Sequence, residues 1–151
     1  MKRFITAITI AFAAILSLSA QDRLTVSVAV PEGIEHDNAA ATLTSNLKQA
    51  LVLNDAAADA SRFVLKSKAA VLSKDVTNTA PAMFVTELEI SLFITDTTSG
   101  DVMSQTSFTV KGIADSDKGS FMDAVKKVKA RDPKLRNLIN QAKDYFDEHI
   151  Y

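Results

Sequence analysis

The chain has 151 residues, carries 17 Lys and Arg against 18 Asp and Glu, and contains no cysteine. The lack of cysteine excludes disulfides, thiol catalysis, a cysteine-ligated metal and a lipid-modified cysteine. Without Lys2 and Arg3, which belong to the leader described next, 15 basic residues remain against 18 acidic ones, and this formal net charge of −3 disfavours nucleic acid as a partner.

The first 20 residues have the order of a secretory signal peptide. Lys2 and Arg3 precede an apolar run from Phe4 to Leu16, and small or polar residues follow up to Ala20. The apolar run ends too early for a membrane-spanning helix, which needs about 20 apolar residues. We therefore predict cleavage after Ala20, a periplasmic or extracellular location, and no transmembrane segment in the mature chain.

Residues 21–151 are long enough for one hydrophobic core, which predicts a single domain. Its first predicted element is a strand from Leu24 to Val30, where apolar and polar residues alternate until a proline. A helix follows, which Asp37 or Asn38 can cap. The apolar residues at helical spacing in it are Leu43, Leu47, Ala50 and Leu51.

Alternation predicts three further strands, at Phe63–Leu72, Val85–Thr95 and Met103–Lys111. The middle one has the clearest pattern and is expected at or near the centre of the sheet. Phe93 interrupts its polar face, so that face should not be wholly solvated. The segment Ser73–Pro81 has no apolar pattern and is predicted to be a loop, either a mobile connection or a binding surface.

Two helices are predicted to follow the strands. Ser116 or Asp117 caps the first, and Asp132 with Pro133 directly after it is typical of the start of the second. Their apolar residues are Phe121, Val125 and Val128 in the first and Leu135, Leu138, Ile139, Ala142, Phe146 and Ile150 in the second. The order β-α-β-β-β-α-α predicts an α+β fold, a mixed or antiparallel four-stranded sheet with helices packed on one face.

The segment from Asp96 to Asp101 joins the last two predicted strands and contains two carboxylates. Paired carboxylates are suited to general acid/base catalysis or to binding a cation, but no histidine or third ligand lies near them in sequence. Ser99 and Gly100 supply a residue that adopts positive φ at no steric cost. We therefore interpret the segment as a hairpin turn.

The segment Asp115–Ser120 resembles the start of a calcium-binding loop, in which acidic residues alternate before a glycine. Its glycine falls at the fifth place instead of the sixth, and the twelfth place holds Lys126 instead of a glutamate. A strand-to-helix connection with acidic residues at the helix start explains the same residues.

The two histidines, His36 and His149, lie at opposite ends of the mature chain in polar surroundings. A zinc site or a Ser-His-acid arrangement would need partners that the sequence does not identify. We interpret both histidines as exposed, and we predict no catalytic, cofactor-binding or metal-binding residues. An enzyme that uses Asp96, Asp101 or His36 is the weakest alternative.

Basic residues concentrate at the joint between the last two helices, either as a solvated helix face or as a surface for an anionic partner. They are Lys126, Lys127, Lys129, Arg131, Lys134 and Arg136. The predicted interaction surface comprises Lys127, Lys129 and Arg131 of this joint, with Lys74, Asp75 and Asn78 of the Ser73–Pro81 segment.

A family resemblance rests on two segments, FVLKSKAAVLSKDV (63–76) and LEISLFITDTTSGDVMSQTSFTVKG (88–112). They resemble secreted proteins of anaerobic gut bacteria, whose amino-terminal domain is similar to the nucleotide-free α/β domain of the curli-secretion lipoprotein and of the Tol-Pal translocation protein. The shared features are a strand of the Phe-Val-Leu kind after a helix, here Phe63 to Leu65, and an Asp-x-x-Ser/Thr-Gly-x-Val turn, here Asp96 to Val102.

The resemblance covers most of residues 22–151 and implies an envelope protein that works by contacts, with no catalytic residues to carry over. The curli-type proteins are lipoproteins that assemble into pores, whereas this chain lacks the acylated cysteine and an evident pair of membrane-spanning hairpins. The secreted relatives continue into a cysteine-containing helical region, whereas this chain ends at Tyr151.

The predicted function is that of a non-catalytic exported domain that binds another envelope protein or assembles with itself. The main alternative is a small-ligand or glycan-binding protein with a pocket between sheet and helices. The low aromatic content, with two Tyr and no Trp, is unfavourable for that alternative.

Overall fold

The computed structural model describes residues 23–150 as a four-stranded sheet with three helices. The predicted signal peptide at 1–20 lies outside the described residues. The strands are β1 (Val26–Val28), β2 (Phe63–Val76), β3 (Phe84–Asp96) and β4 (Val102–Ala114), and the helices are α1 (Asp37–Leu53), α2 (Asp117–Val125) and α3 (Pro133–His149). The strand order in the sheet is β1-β2-β3-β4, with β1 parallel to β2 and the other pairs antiparallel. The predicted α+β fold, its mixed sheet and its element order are confirmed.

The two faces of the sheet differ in what covers them. One face packs against the helices and forms the core, as the alternation of β2, β3 and β4 predicts. Its buried side chains are Phe63, Leu65, Leu88, Ile90, Leu92, Ile94, Phe108 and Val110, and they meet Leu43, Leu47, Phe121, Leu135, Leu138, Ile139 and Phe146 of the helices. The opposite face carries exposed polar side chains around Phe93, which is half-buried as predicted.

The first strand is shorter than the predicted Leu24–Val30. Regular pairing stops at Val28, the last backbone bond of this stretch runs from the N–H of Ala29 to the carbonyl of Leu65, and Val30 is 83% exposed. Proline at the next position has no N–H to continue the ladder, so the alternation in the sequence outlasts the strand.

The predicted loop Ser73–Pro81 is wrong for its first four residues, because β2 continues to Val76. The pairing register with β3 shifts between Val71 and Ser73, which marks a β-bulge that leaves Leu72 as the extra residue. A bulge changes which side chains face the core, so the residues beyond it no longer follow the alternation of the first half. Lys74 and Asp75 therefore lie in a strand, and Asn78 lies at the tip of the β2–β3 hairpin.

The helix ends differ in part from their predicted positions. At the start of α1, His36 is the N-cap and makes no side-chain capping bond, so Asp37 and Asn38 are not the cap. At α2, Oγ of Ser116 accepts a hydrogen bond from the N–H of Gly119 at 3.0 Å, which confirms the predicted cap. At α3, Asp132 caps the N–H of Lys134 at 2.9 Å as predicted, with a proline at the first helical turn. Helix α2 ends at Val125, so the buried Val128 lies in the α2–α3 connection instead.

Helix α2 lies unusually close to β4 because Gly112 has no side chain. A Cβ atom at this position would lie 1.9 Å from the carbonyl oxygen of Ser120 and 2.3 Å from the N atom of Ala124. Beside this contact, the hydroxyl groups of Thr86 and Ser120 share a buried hydrogen bond of 2.6 Å. The glycine therefore sets the depth at which α2 sits on the sheet.

We expect Gly112→Ala to lower the free energy of unfolding by about 2 kcal/mol, because the new methyl group meets backbone atoms that cannot move independently of α2. Urea denaturation monitored by circular dichroism measures the change. Gly100→Asn is the matched control, since a Cβ there meets open space and Asn tolerates the φ of 79°. Equal losses in the two variants would contradict the role assigned to the close contact.

Candidate functional site

The hairpin between β3 and β4 is a tight turn, as predicted. The N–H of Asp96 donates to the carbonyl of Asp101 at 2.9 Å, and the N–H of Gly100 donates to the carbonyl of Asp96 at 2.7 Å. Gly100 has the positive φ that the sequence predicted for this position. Asp101 is exposed, whereas Asp96 is turned inward.

Both carboxylate oxygens of Asp96 are held by Arg62, which lies just before β2. Nε and an η-nitrogen of Arg62 donate to Oδ1 and Oδ2 of Asp96 at 2.8 and 2.7 Å, and the N–H of Thr98 donates to Oδ1 at 2.9 Å. These bonds, above all those from Arg62, lower the pKa of Asp96 to about 2, and the carboxylate in turn raises the pKa of Arg62. An anion that is held in this way is unsuited to exchanging protons near neutral pH.

Arg62 carries no sequence signal that links it to Asp96. Phe63 stands directly opposite Asp96 in the β2–β3 pairing, and this places the preceding arginine beside the turn. The residues are 34 apart in the chain, so no local pattern links them. Only the register of the hairpin, which the bulge makes difficult to predict, brings them together.

His36 is half-buried, so the prediction that it is exposed is wrong. Its side chain is 22% exposed, its ring packs edge-on against Phe121 at a centroid distance of 5.3 Å, and Nε2 lies 3.9 Å from Oδ2 of Asp117. Nζ of Lys74 approaches the other oxygen of Asp117 at 3.5 Å. Asp117 thus stands between two elements that it helps to join, β2 and the start of α1. His149 is exposed, as predicted.

The acidic and histidine side chains of the described residues form no metal-binding cluster. Within residues 23–150, no group of three or more His, Asp or Glu side chains is placed to hold a metal ion. The calcium-like segment Asp115–Ser120 connects β4 to α2, and its Ser116 serves as the helix cap. The strand-to-helix interpretation of that segment is confirmed.

Four of the six basic residues at the joint border an open groove beside α1, which we call the basic groove. Thr42, Asn46, Gln49 and Leu53 form its α1 wall, and Lys126, Lys129, Ala130, Arg131 and Arg136 form the opposite wall. Two adjoining hollows of about 550 and 270 Å³ share Ala130 and Arg131. Nδ2 of Asn46 donates to the carbonyl of Val128 at 3.0 Å and fixes the connection against α1.

The four cations of the basic groove have no internal partner among the described residues. None of Lys126, Lys129, Arg131 and Arg136 lies within ion-pair distance of a carboxylate in residues 23–150, and all four are exposed. Asp132, the nearest acid in sequence, points its carboxylate at the N–H of Lys134. The groove is thus a concentrated positive surface.

Lys127 lies outside the groove, on the outer edge of β4. Its Nζ donates to the carbonyl of Lys111, and Nζ of Lys134 donates to the carbonyl of Ser107 at 3.0 Å. Oδ2 of Asp123 accepts from the N–H of Ile113 at 2.9 Å. Side chains of α2, of the α2–α3 connection and of α3 therefore bond to backbone groups on the outer side of the last strand of the sheet.

The six predicted interaction residues lie on three parts of the structure. Lys129 and Arg131 lie together in the basic groove, and Lys127 lies on the edge of β4. The other three, Lys74, Asp75 and Asn78, belong to the β2–β3 hairpin, and β2 is separated from β4 by the whole width of β3.

Helix α3 carries its charges against the helix dipole. Its second and fourth residues are Lys134 and Arg136, and the last two turns carry Asp144, Asp147 and Glu148, all exposed. Cations near the N-terminus and anions near the C-terminus are each unfavourable by a few tenths of a kcal/mol or more. Asp144 and Glu148 also repel each other at the i, i+4 spacing. We call Asp144, Asp147 and Glu148 the acidic end of α3.

A smaller apolar hollow of about 270 Å³ lies at the β1 edge of the sheet. Its lining is mainly apolar, with Val26, Val28, Leu51 and Val52, and it also includes Lys48 and Asp59. The hollow is slightly below the usual size of ligand pockets, which is about 300–1,000 Å³, and few polar groups converge on it.

No protein-family model matches the chain, and no curated protein matches it significantly. Among solved structures, it is similar to a Xanthomonas campestris protein of the DUF330 family, with 12% identity over 83% of this chain and 87% of that one and a TM-score of 0.49. It is also similar to the PelC dodecamer of Paraburkholderia phytofirmans (18% identity, 71% and 85% covered, TM-score 0.44) and to a minor lipoprotein of Acinetobacter baumannii (10%, 83% and 94%, 0.46). These similarities concern the fold alone, and we assign no residue a role on the basis of them.

None of the helices within residues 23–150 combines the length and the apolar character that crossing a bilayer requires.

We expect the pair of Arg62 and Asp96 to make the free energy of unfolding depend on pH in the acid range. The pKa of Asp96 is about 2 in the folded state against about 3.9 when unfolded, so the pair stabilises fully above about pH 4 and its contribution is lost as the pH falls towards 2. Urea unfolding at a series of pH values should show this loss in the wild-type protein and a shallower decline in Asp96→Asn. Asp101→Asn, which removes the exposed carboxylate of the same turn, should decline like the wild type. A variant at Asp96 with an undiminished decline would contradict this assignment.

Proposed function

We propose that this chain is a non-catalytic exported domain of the cell envelope that acts through protein–protein contacts, with another envelope protein or with copies of itself. Export is supported by the signal-peptide pattern of residues 1–20, and a role in the envelope is supported by the resemblance carried by residues 63–76 and 88–112.

The observation that carries the proposal is the pair of exposed charged surfaces on the helical layer. The basic groove and the acidic end of α3 each concentrate one sign of charge, and neither is neutralised by ion pairs between elements of residues 23–150. Complementary charged surfaces of this kind steer and select protein partners. The placement on α3 is locally unfavourable, so a function outside the fold is the simplest physical reason for it.

The polar residues that the sequence offered as catalytic candidates have structural roles, which weakens the enzyme alternative. Asp96 is bonded to Arg62, and His36 packs against Phe121 beside Asp117. A small-ligand protein is the second candidate, because the apolar hollow beside β1 could take a small apolar group. Its small size and sparse polar lining make it a weaker basis than the charged surfaces.

Affinity capture from the envelope fraction of the native cell tests the proposal, with the full gene expressed and the purified protein immobilised. We expect Lys129→Ala combined with Arg131→Ala to lower the captured amount of a specific partner about tenfold, because two cations of the groove are removed. Thermal unfolding should change little, since both side chains are exposed.

The matched control is Lys66→Ala combined with Lys68→Ala, which removes two exposed lysines from the face of the sheet that the helices leave bare. Capture by this control should equal that of the wild type. If both double variants lose capture alike, the binding is a general effect of charge. If the wild type captures no partner and does not self-associate in light scattering, the proposed function is wrong.

A further inference from the structure

The basic groove has the shape and chemistry of a receptor for a helical acidic segment. Its α1 wall, Thr42, Asn46, Gln49 and Leu53, follows a 4-3-4 spacing, which places the four residues on one stripe about 16 Å long. Asn46 and Gln49 offer amide N–H groups, which can donate to carboxylates, whereas the hydroxyl of Thr42 donates to the carbonyl of Asn38. The opposite wall supplies four cations, and no carboxylate lines the groove among the described residues.

A lipid surface fits this groove poorly. Helices that bind a membrane surface bury a band of large apolar residues beside their cations, and in the groove only Leu53 is a large apolar residue. The net charge of −3 for residues 21–151 also opposes approach to an anionic bilayer. The polar α1 wall favours a protein segment instead.

The same chain presents a segment of the complementary kind. Asp144, Asp147 and Glu148 lie exposed on the last two turns of α3, and within residues 23–150 their one ion-pair contact is that of His149 with Glu148, at 4.0 Å. No carboxylate lines the groove among the described residues. Two further cations lie near the helix end, but Lys143 bonds through Nζ to the carbonyl of Asn54, and Arg23, which shares a hollow with Asp147, pairs with Asp55. The charges of the two surfaces are therefore complementary: cations in the groove and anions at the end of α3.

The contact is not made within one molecule. Arg136, near the start of α3, lines the groove, and Glu148 lies 12 residues further along the same straight helix, about 18 Å away. No ion pair joins the acidic end to the groove of its own chain within residues 23–150. A second copy can bring this segment into the groove without a change in the fold.

We infer that the basic groove binds the acidic end of α3 from a second copy of this chain, in a head-to-tail contact. The inference rests on the proposed function and names the partner for it. Because two different surfaces meet, the contact is heterologous: one copy keeps a free helix end and the other a free groove, and further copies can add at both. The contact should weaken as salt is added, since the charges on both sides are exposed.

Charge reversal tests the inference by sedimentation velocity and light scattering of the full protein at low salt. The groove variant combines Lys129→Glu with Arg131→Glu, and the end variant combines Asp144→Lys with Glu148→Lys. We expect each to weaken self-association by about tenfold or more, because like charges then face each other across the contact. The variant with all four changes should regain association, since its charges are complementary again with the signs exchanged.

The end variant also separates association from folding. Lysines at the end of α3 agree with the helix dipole and remove the repulsion between Asp144 and Glu148, so its melting temperature should be equal to or above that of the wild type. Loss of association together with unchanged or higher stability supports the inference. A substantial fall in melting temperature would show that the acidic end has a role in folding and would overturn it.

Other outcomes overturn the inference while leaving the proposed function separately testable. A wild-type protein that is monomeric at all concentrations, or association that survives both reversals, excludes the head-to-tail contact. Binding to vesicles of phosphatidylglycerol that is lost in the groove variant would assign the groove to lipid instead. Capture of an envelope protein that depends on Lys129 and Arg131 would then still support the proposed function. If that capture is absent too, both the inference and the proposed function are wrong.

Discussion

The contact of α2 with β4 at Gly112 positions the helical layer on which the candidate surfaces lie. Because a backbone meets a backbone there without a side chain between them, α2 sits deep on the sheet, and the connection that follows it is drawn towards α1. Asn46 then bonds to the carbonyl of Val128 and fixes that connection. The groove between α1 and the connection is thus a consequence of packing in the core, although its lining residues are exposed.

The charged residues of this chain fall into two groups with different physical roles. Arg62 and Asp96 are bound to each other at the end of the hairpin, and their pairing holds the turn to the start of β2. Within residues 23–150 the cations of the groove have no ion-pair partner, and the anions at the end of α3 have only the long contact of Glu148 with the adjacent His149, at 4.0 Å. Charges of the second kind contribute little to folding, and on α3 they oppose it slightly, which is why they are informative about function.

Most of the fold could be predicted from the sequence because the apolar periodicity of a strand or helix is a property of that element alone. The alternation of β3 and the caps Ser116 and Asp132 located their elements to within a residue or two. The second half of β2 could not be predicted, since the bulge at Leu72 interrupts the alternation. The basic residues of the groove were noticed in the sequence, but their relation to α1 depends on a tertiary contact between residues 82 apart.

The edges of the sheet offer few backbone groups for another strand to pair with. Beside β1 runs the short segment Ala56–Ala58, Lys127 and Lys134 hold carbonyls on the outer side of β4, and the outer half of β2 carries a bulge and Lys74. Strand edges with free backbone groups would put the chain at risk of stacking into fibres. Because these backbone groups are covered, copies of the folded protein can associate through side chains on helices. Such an assembly can dissociate again when the ionic strength of its surroundings rises.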